Sequence, residues 1–198
     1  RRQVGAESLQ RMKLTTGQLA RAALVAALYI VLTILPPFNA ISYGAVQFRL
    51  GEALTLLPFI LDEAVVGLTV GCLVANLFSP FGLIDLVVGT SVTLMAALLT
   101  RSLRGTGKPW LGALPPIILN ATIIPLYVSV LMLPEATHLE LRHGLVEGLF
   151  FIVKHLSTRV YAPVAVSVLA GESAVVLLAG LPVLAIVRRS MRPPEVRP

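Results

Sequence analysis

Ala53-Leu-Thr-Leu-Leu-Pro-Phe-Ile-Leu-Asp-Glu-Ala-Val-Val-Gly-Leu-Thr-Val-Gly-Cys-Leu-Val-Ala-Asn-Leu-Phe78 carries one acidic pair, Asp62-Glu63, and no other charge. Read as one helix, it is long enough to cross a bilayer and places both acids near the midplane. A charge there costs ~2.5–3.5 kcal/mol on insertion scales. Read as two shorter segments, 50–61 and 64–79, it leaves both acids in a turn at the membrane surface. The choice sets the parity of the whole chain. A merged helix gives five spans and sends Arg101, Arg104, Lys108 and the basic C-terminus outside. Short basic loops are retained in the cytoplasm, which disfavours that arrangement. The split puts every basic cluster inside. The sequence therefore predicts an all-α membrane protein, a bundle of six transmembrane helices with the N-terminus and C-terminus both cytoplasmic.

Working outward, the six predicted spans are 15–35, 50–61, 64–79, 83–103, 110–133 and 163–187. Pro36-Pro37 stops the first, and Ser79-Pro80-Phe81-Gly82 reads as a tight turn. No small-residue cleavage site ends the first apolar run, so it reads as a retained span. Composition agrees. The 198 residues are 56% hydrophobic and 13% charged, too apolar to cover the surface of a soluble domain. Mean hydropathy is +0.86. The net charge of +6 does not form one basic face. Its arginines and lysines flank the apolar runs, which excludes nucleic acid as the partner and points to the lipid bilayer. Cys72 is the single cysteine, so no intramolecular disulfide forms. The expected organisation is a cytoplasmic segment 1–14, one transmembrane substrate-binding domain 15–190 with an external insertion 134–162, and a cytoplasmic tail 191–198. Within the insertion, Leu145 to Leu156 is apolar enough to lie on the membrane surface or cap the bundle. The expected location is the cell membrane.

Polar groups in apolar spans are the functional candidates. Arg49 and Glu52 open the second span, Asn76 ends the third, Asp85 begins the fourth, Asn120 lies within the fifth and Glu172 within the sixth. The topology gathers them toward the outer side, beside a loop that includes Tyr43 and Gln47. Several helices presenting polar groups to one region make a small-molecule pocket. Simpler roles compete. Arg49 and Glu52 are three apart and suited to pair with each other. Asp85 is placed to cap its helix, and Asn76 and Asn120 suit interhelical hydrogen bonds. Glu172 has no basic neighbour in sequence. Ala22, Ala23, Ala26 and Ala27 form two interleaved Ala-x-x-x-Ala pairs, a pattern that permits close helix contact with a partner or within the bundle. No phosphate-binding loop, nucleophile elbow or zincin motif is present. His138, His143 and His155 do not share a helical face, so neither a metal site nor a cofactor is expected.

The stretch Tyr43-Gly-Ala-Val-Gln-Phe-Arg-Leu-Gly-Glu-Ala-Leu-Thr-Leu-Leu-Pro58 resembles the signature of the queuosine-precursor transporter (QueT) family. The resemblance continues through Gly71-Cys-Leu-Val-Ala-Asn-Leu-Phe-Ser-Pro80, Asp85-Leu-Val-Val-Gly-Thr90, Leu114-Pro-Pro-Ile-Ile-Leu-Asn-Ala121 and Ala170-Gly-Glu172. It implies a six-helix S component of an energy-coupling factor transporter, not an enzyme. Such a subunit captures a 7-deazaguanine from outside and docks onto a transmembrane coupling subunit and two ATPases. The alanine pattern is similar to the docking motif of S components. Glu52 or Glu172 would accept the donor edge of the ligand, and Asn76, Asn120 and Gln47 would serve its carbonyl and ring nitrogens. Tyr43, Phe48 or Phe78 would stack on the ring, and Asp85 would face an aminomethyl cation. Other readings stay open: an S component for another vitamin-like molecule, an intramembrane enzyme using Asp85 and Glu172, or a small channel.

Overall fold

The computed structural model describes residues 14–37, 42, 48–138 and 145–191. Among these residues all regular secondary structure is helical. Helix α1 spans Thr16–Ile34. A 3-10 segment, Leu50–Phe59, precedes α2, Ala64–Asn76. Then come α3, Gly82–Thr106, and α4, Pro109–Leu131. A short 3-10 turn, Pro134–His138, precedes α5, Leu145–His155. The last helix, α6, covers Thr158–Ser190.

Helices α1, α3, α4 and α6 are long and apolar enough to cross a membrane. The second and third predicted spans are shorter. The 3-10 segment rises about 2.0 Å per residue and α2 about 1.5 Å, so each covers ~20 Å against a hydrocarbon core of ~30 Å. The chain does break at Asp62-Glu63, between these two elements, as the charged pair requires. The last helix starts earlier than predicted, at Thr158, with Pro163 inside it.

Helix α1 starts where its sequence says it should. Thr15 and Gln18 form a capping box: the Gln18 N–H donates to Thr15 Oγ1 and the Thr15 N–H donates to Gln18 Oε1. Its buried residues, Ala22, Val25, Ala26, Tyr29 and Thr33, fall on one helical stripe. That stripe packs on α2 at Gly67 and Gly71. A Cβ at Gly67 would stand 2.5 Å from the Ala22 carbonyl oxygen, and one at Gly71 would stand 2.9 Å from Tyr29 Cβ and 3.0 Å from the Ala26 carbonyl oxygen. In lipid, where burial of apolar surface drives little, such close backbone contact is a main source of cohesion. The alanine pattern therefore divides. Ala22 and Ala26 are buried against α2 and leave no surface for a partner, whereas Ala23 and Ala27 stand exposed. Replacing Gly71 with valine should destabilise the protein by about 1–3 kcal/mol or more, because backbone faces the new side chain. Valine at Gly105, which has open space around it, is the control. Equal resistance of both variants to denaturation in mixed micelles would overturn the close-contact account.

The end of the molecule that holds Asp62 and Glu63 is tied by ion pairs. Arg104 donates to Asp62 Oδ1 at 2.8 Å and to the Pro58 and Phe59 carbonyls at 3.0 and 3.1 Å. Arg101 pairs with the same Asp62 oxygen at 2.7 Å, and Arg21 pairs with Glu63. The Arg104 hydrogen bond, aided by the charges of Arg104 and Arg101, holds the Asp62 carboxyl below its ordinary range. Its contribution is thus present above the unfolded carboxylate range and is lost as pH falls through the lowered value. With all three side chains 40–49% exposed, solvent keeps each pair below about 1 kcal/mol.

Candidate functional site

The polar residues of the apolar spans meet at the other end of the bundle. Tyr29, which reaches them, lies eight residues along α1 from Arg21, a rise of ~12 Å. The centre of the site is an ion pair. Arg49, which precedes the 3-10 segment, donates through Nη2 to Asp85 Oδ2 at 3.0 Å, and Asp85 is fully buried. The Tyr127 hydroxyl on α4 donates to the other oxygen, Asp85 Oδ1. Asn76, at the end of α2, donates to the Asp85 backbone carbonyl at 2.9 Å. These contacts tie four elements through one residue, three of them through its carboxylate and α2 through its backbone carbonyl. A buried charge needs both a counter-charge and hydrogen bonds on its remaining lone pairs, and Asp85 has both.

Local backbone geometry makes room for this. Residues Asp85–Gly89 form a π-helical turn inside α3, and a Cβ at Gly89 would stand 2.5 Å from Asp85 Oδ1 and 2.9 Å from Asn76 Nδ2. The glycine is there because nothing larger fits under the carboxylate. A second π-helical turn, Val175–Gly180, follows Glu172 in α6. Such turns shift the side-chain register of a helix and are frequent at functional sites.

Beside the ion pair lies a second polar group. Glu52 is 2% exposed, accepts from the Tyr29 hydroxyl through Oε1, and its Oε2 meets no donor at hydrogen-bonding geometry. Asn120 Nδ2, on α4, donates to Glu172 Oε1, on α6, at 2.9 Å. Arg49, Glu52, Asn120 and Glu172, with Ile124 and Val168, line one internal void of about 10 Å³. That is room for a single water. Ligand sites measure ~300–1,000 Å³, so the void among the described residues is much smaller than a ligand.

Over Tyr127 lies an apolar cluster of Phe81, Ile84, Ile124, Val128 and Ile152. Phe81 meets the Tyr127 ring edge-on, with centroids 6.3 Å apart. Ile152 comes from α5, so this helix packs against α3 and α4 here. Its opposite face, Val146, Phe150 and Val153, is 73–79% exposed.

Several expectations need correction. Arg49 pairs with Asp85, not with Glu52, and Glu52 takes a tyrosine instead. Asp85 caps no helix; both its oxygens are used across the bundle. It is therefore not an idle counter-charge for a ligand. Asn120 is an interhelical bond, as expected, and its partner is the candidate Glu172. Asn76 works at the α2–α3 junction. Phe78 is 64% exposed and lies outside the chamber lining. Tyr43 and Gln47 fall outside the described residues, as does His143. Tyr29 and Tyr127 were missed. The available signal was a tyrosine in an apolar helix, whose buried hydroxyl must find an acceptor.

Helices long and apolar enough to cross a membrane, packed around a buried polar cluster, define a multi-pass membrane protein, and the family whose model it matches is one of transporters, not enzymes. The chain belongs to the QueT transporter family, whose model matches residues 19–189. Over 83 residues it is 40% identical to the queuosine precursor transporter QueT of Lactococcus lactis subsp. cremoris (strain MG1363). That match takes in 42% of this chain and 48% of the relative, so the chain spans about half the length of the curated relative it matches. No solved structure matches the chain.

Proposed function

We propose that the chain is the substrate-capture subunit, the S component, of an energy-coupling factor transporter, and that it binds a queuosine precursor of the 7-deazaguanine type. The observation that carries this reading is the chamber itself: Glu52, Asn120 and Glu172 converge from three elements on one buried void, in a chain that belongs to the QueT family. A deazaguanine offers N1–H and an exocyclic amine as adjacent donors, which a carboxylate accepts as a pair. Asn120 has an amide to exchange with the ring carbonyl. Since the void holds one water, binding opens the chamber, and α5 over Tyr127 is placed to follow that motion. ATP hydrolysis falls to partner chains, and the exposed Ala23 and Ala27 face outward from α1, where a coupling subunit would dock.

Calorimetric titration of the purified protein with 7-deazaguanine precursors tests the reading. Stoichiometric binding is expected; absence of binding to queuine and to the 7-cyano and 7-aminomethyl compounds would reject it. In this reading the 3-10 segment and α2 cross together with their flanking residues, giving six spans, both termini inside and residues 134–162 outside. Reporter fusions at each end check the topology, and a C-terminus located outside would overturn it.

A further inference from the structure

We propose that the site selects ligands carrying a protonated amine, so that a cationic 7-deazaguanine binds in preference to a neutral one of the same shape; this rests on the substrate reading above. The argument is a charge count in the chamber. Three buried carboxylates, Asp85, Glu52 and Glu172, face one guanidinium, Arg49, among the described residues. Arg49 and Asp85 are joined by an ion pair, and the second Asp85 oxygen is taken by Tyr127. The hydrogen bonds to Glu52 and Glu172 among the described residues come from neutral donors, Tyr29 and Asn120.

Among the described residues no other cation is in place to balance them. Between residues 22 and 100 the only lysine or arginine is Arg49, and 109–141 and 160–187 contain none. Lys154 and Arg159, at the same end of the bundle, are exposed. The free oxygen Glu52 Oε2 is an independent sign that something is to be received. A fully buried carboxylate oxygen without a donor is costly to keep unless a ligand uses it. Two carboxylates and one heterocycle divide naturally. One takes the guanine-like donor edge, and the other takes an ammonium projecting from the ring. A charged hydrogen bond desolvated at that position repays the cost of holding the second carboxylate.

The test compares 7-aminomethyl-7-deazaguanine, a cation at neutral pH, with 7-cyano-7-deazaguanine, a neutral molecule, by calorimetry on the intact protein. The aminomethyl compound is expected to bind about 10- to 100-fold tighter, the value of one charged hydrogen bond. Glu52→Gln and Glu172→Gln then separate the two roles. In the variant at the amine position the aminomethyl compound loses far more affinity than the cyano compound, and the preference collapses toward unity. In the variant at the donor-edge position both ligands weaken in parallel. Equal affinity of both ligands for the unaltered protein overturns the inference without needing any variant, and leaves the substrate reading standing. A preference that survives both replacements also overturns it. Binding of neither ligand rejects the substrate reading and the inference with it.

Discussion

Arg49→Met is expected to destabilise the protein by about 3–5 kcal/mol, the usual cost of removing one member of a buried ion pair. The loss comes from what remains. Asp85 is fully buried, and without Arg49 it keeps only the Tyr127 hydroxyl as a side-chain donor. The effect should spread, because Asp85 links the 3-10 segment, α2, α3 and α4 through Arg49, Asn76 and Tyr127. The double variant Arg49→Met, Asp85→Leu should recover part of the stability, since it removes both charges together. Unfolding in mixed detergent micelles, followed by circular dichroism, provides the comparison. Two findings would contradict the account: a single variant as stable as the parent, or a double variant no better than the single one.

Ala23→Leu with Ala27→Leu should abolish uptake in cells while leaving ligand binding by the purified protein intact. Both side chains are exposed on α1 and make no part of its contact with α2, so the fold should tolerate bulk there. A docking interface that depends on close helix approach should not. A loss of ~3 kcal/mol at such an interface lowers complex formation by ~10²-fold. Ala22→Leu with Ala26→Leu should behave differently and lower the stability of the isolated chain, because those residues pack against α2 beside Gly67 and Gly71. Unimpaired uptake in the Ala23/Ala27 variant would remove these residues from the docking surface.

Much of the architecture was legible because lipid is an unforgiving solvent. The break at Asp62-Glu63 could be read from two adjacent acids in an apolar run, and the charge pairs at that end followed from basic clusters needing the same surface. The convergence of Glu52, Asn120 and Glu172 was legible for a related reason. A polar group in an apolar span must face inward, so several such groups on different helices tend to meet. The pairings were not legible. Arg49 and Asp85 are 36 residues apart, Tyr29 and Glu52 are 23 apart, and Asn120 and Glu172 are 52 apart. Local spacing favoured Arg49 with Glu52, and packing chose otherwise.

The division has a physical basis. Sequence alone determined the solvent, the helical class, the charged end of the bundle and the burial of Arg49, Glu52, Asn76, Asp85, Asn120 and Glu172, because hydropathy and charge act segment by segment. Only the tertiary structure decided which carboxylate Arg49 pairs with and which accept from neutral side chains. That choice depends on where helix backbones approach: on Gly89 leaving space beneath Asp85, on Gly67 and Gly71 drawing α1 against α2, and on which face of α1 those contacts use. Ala22 and Ala23 are adjacent in sequence and chemically identical, yet α2 covers one and leaves the other exposed, because successive residues on a helix point about 100° apart.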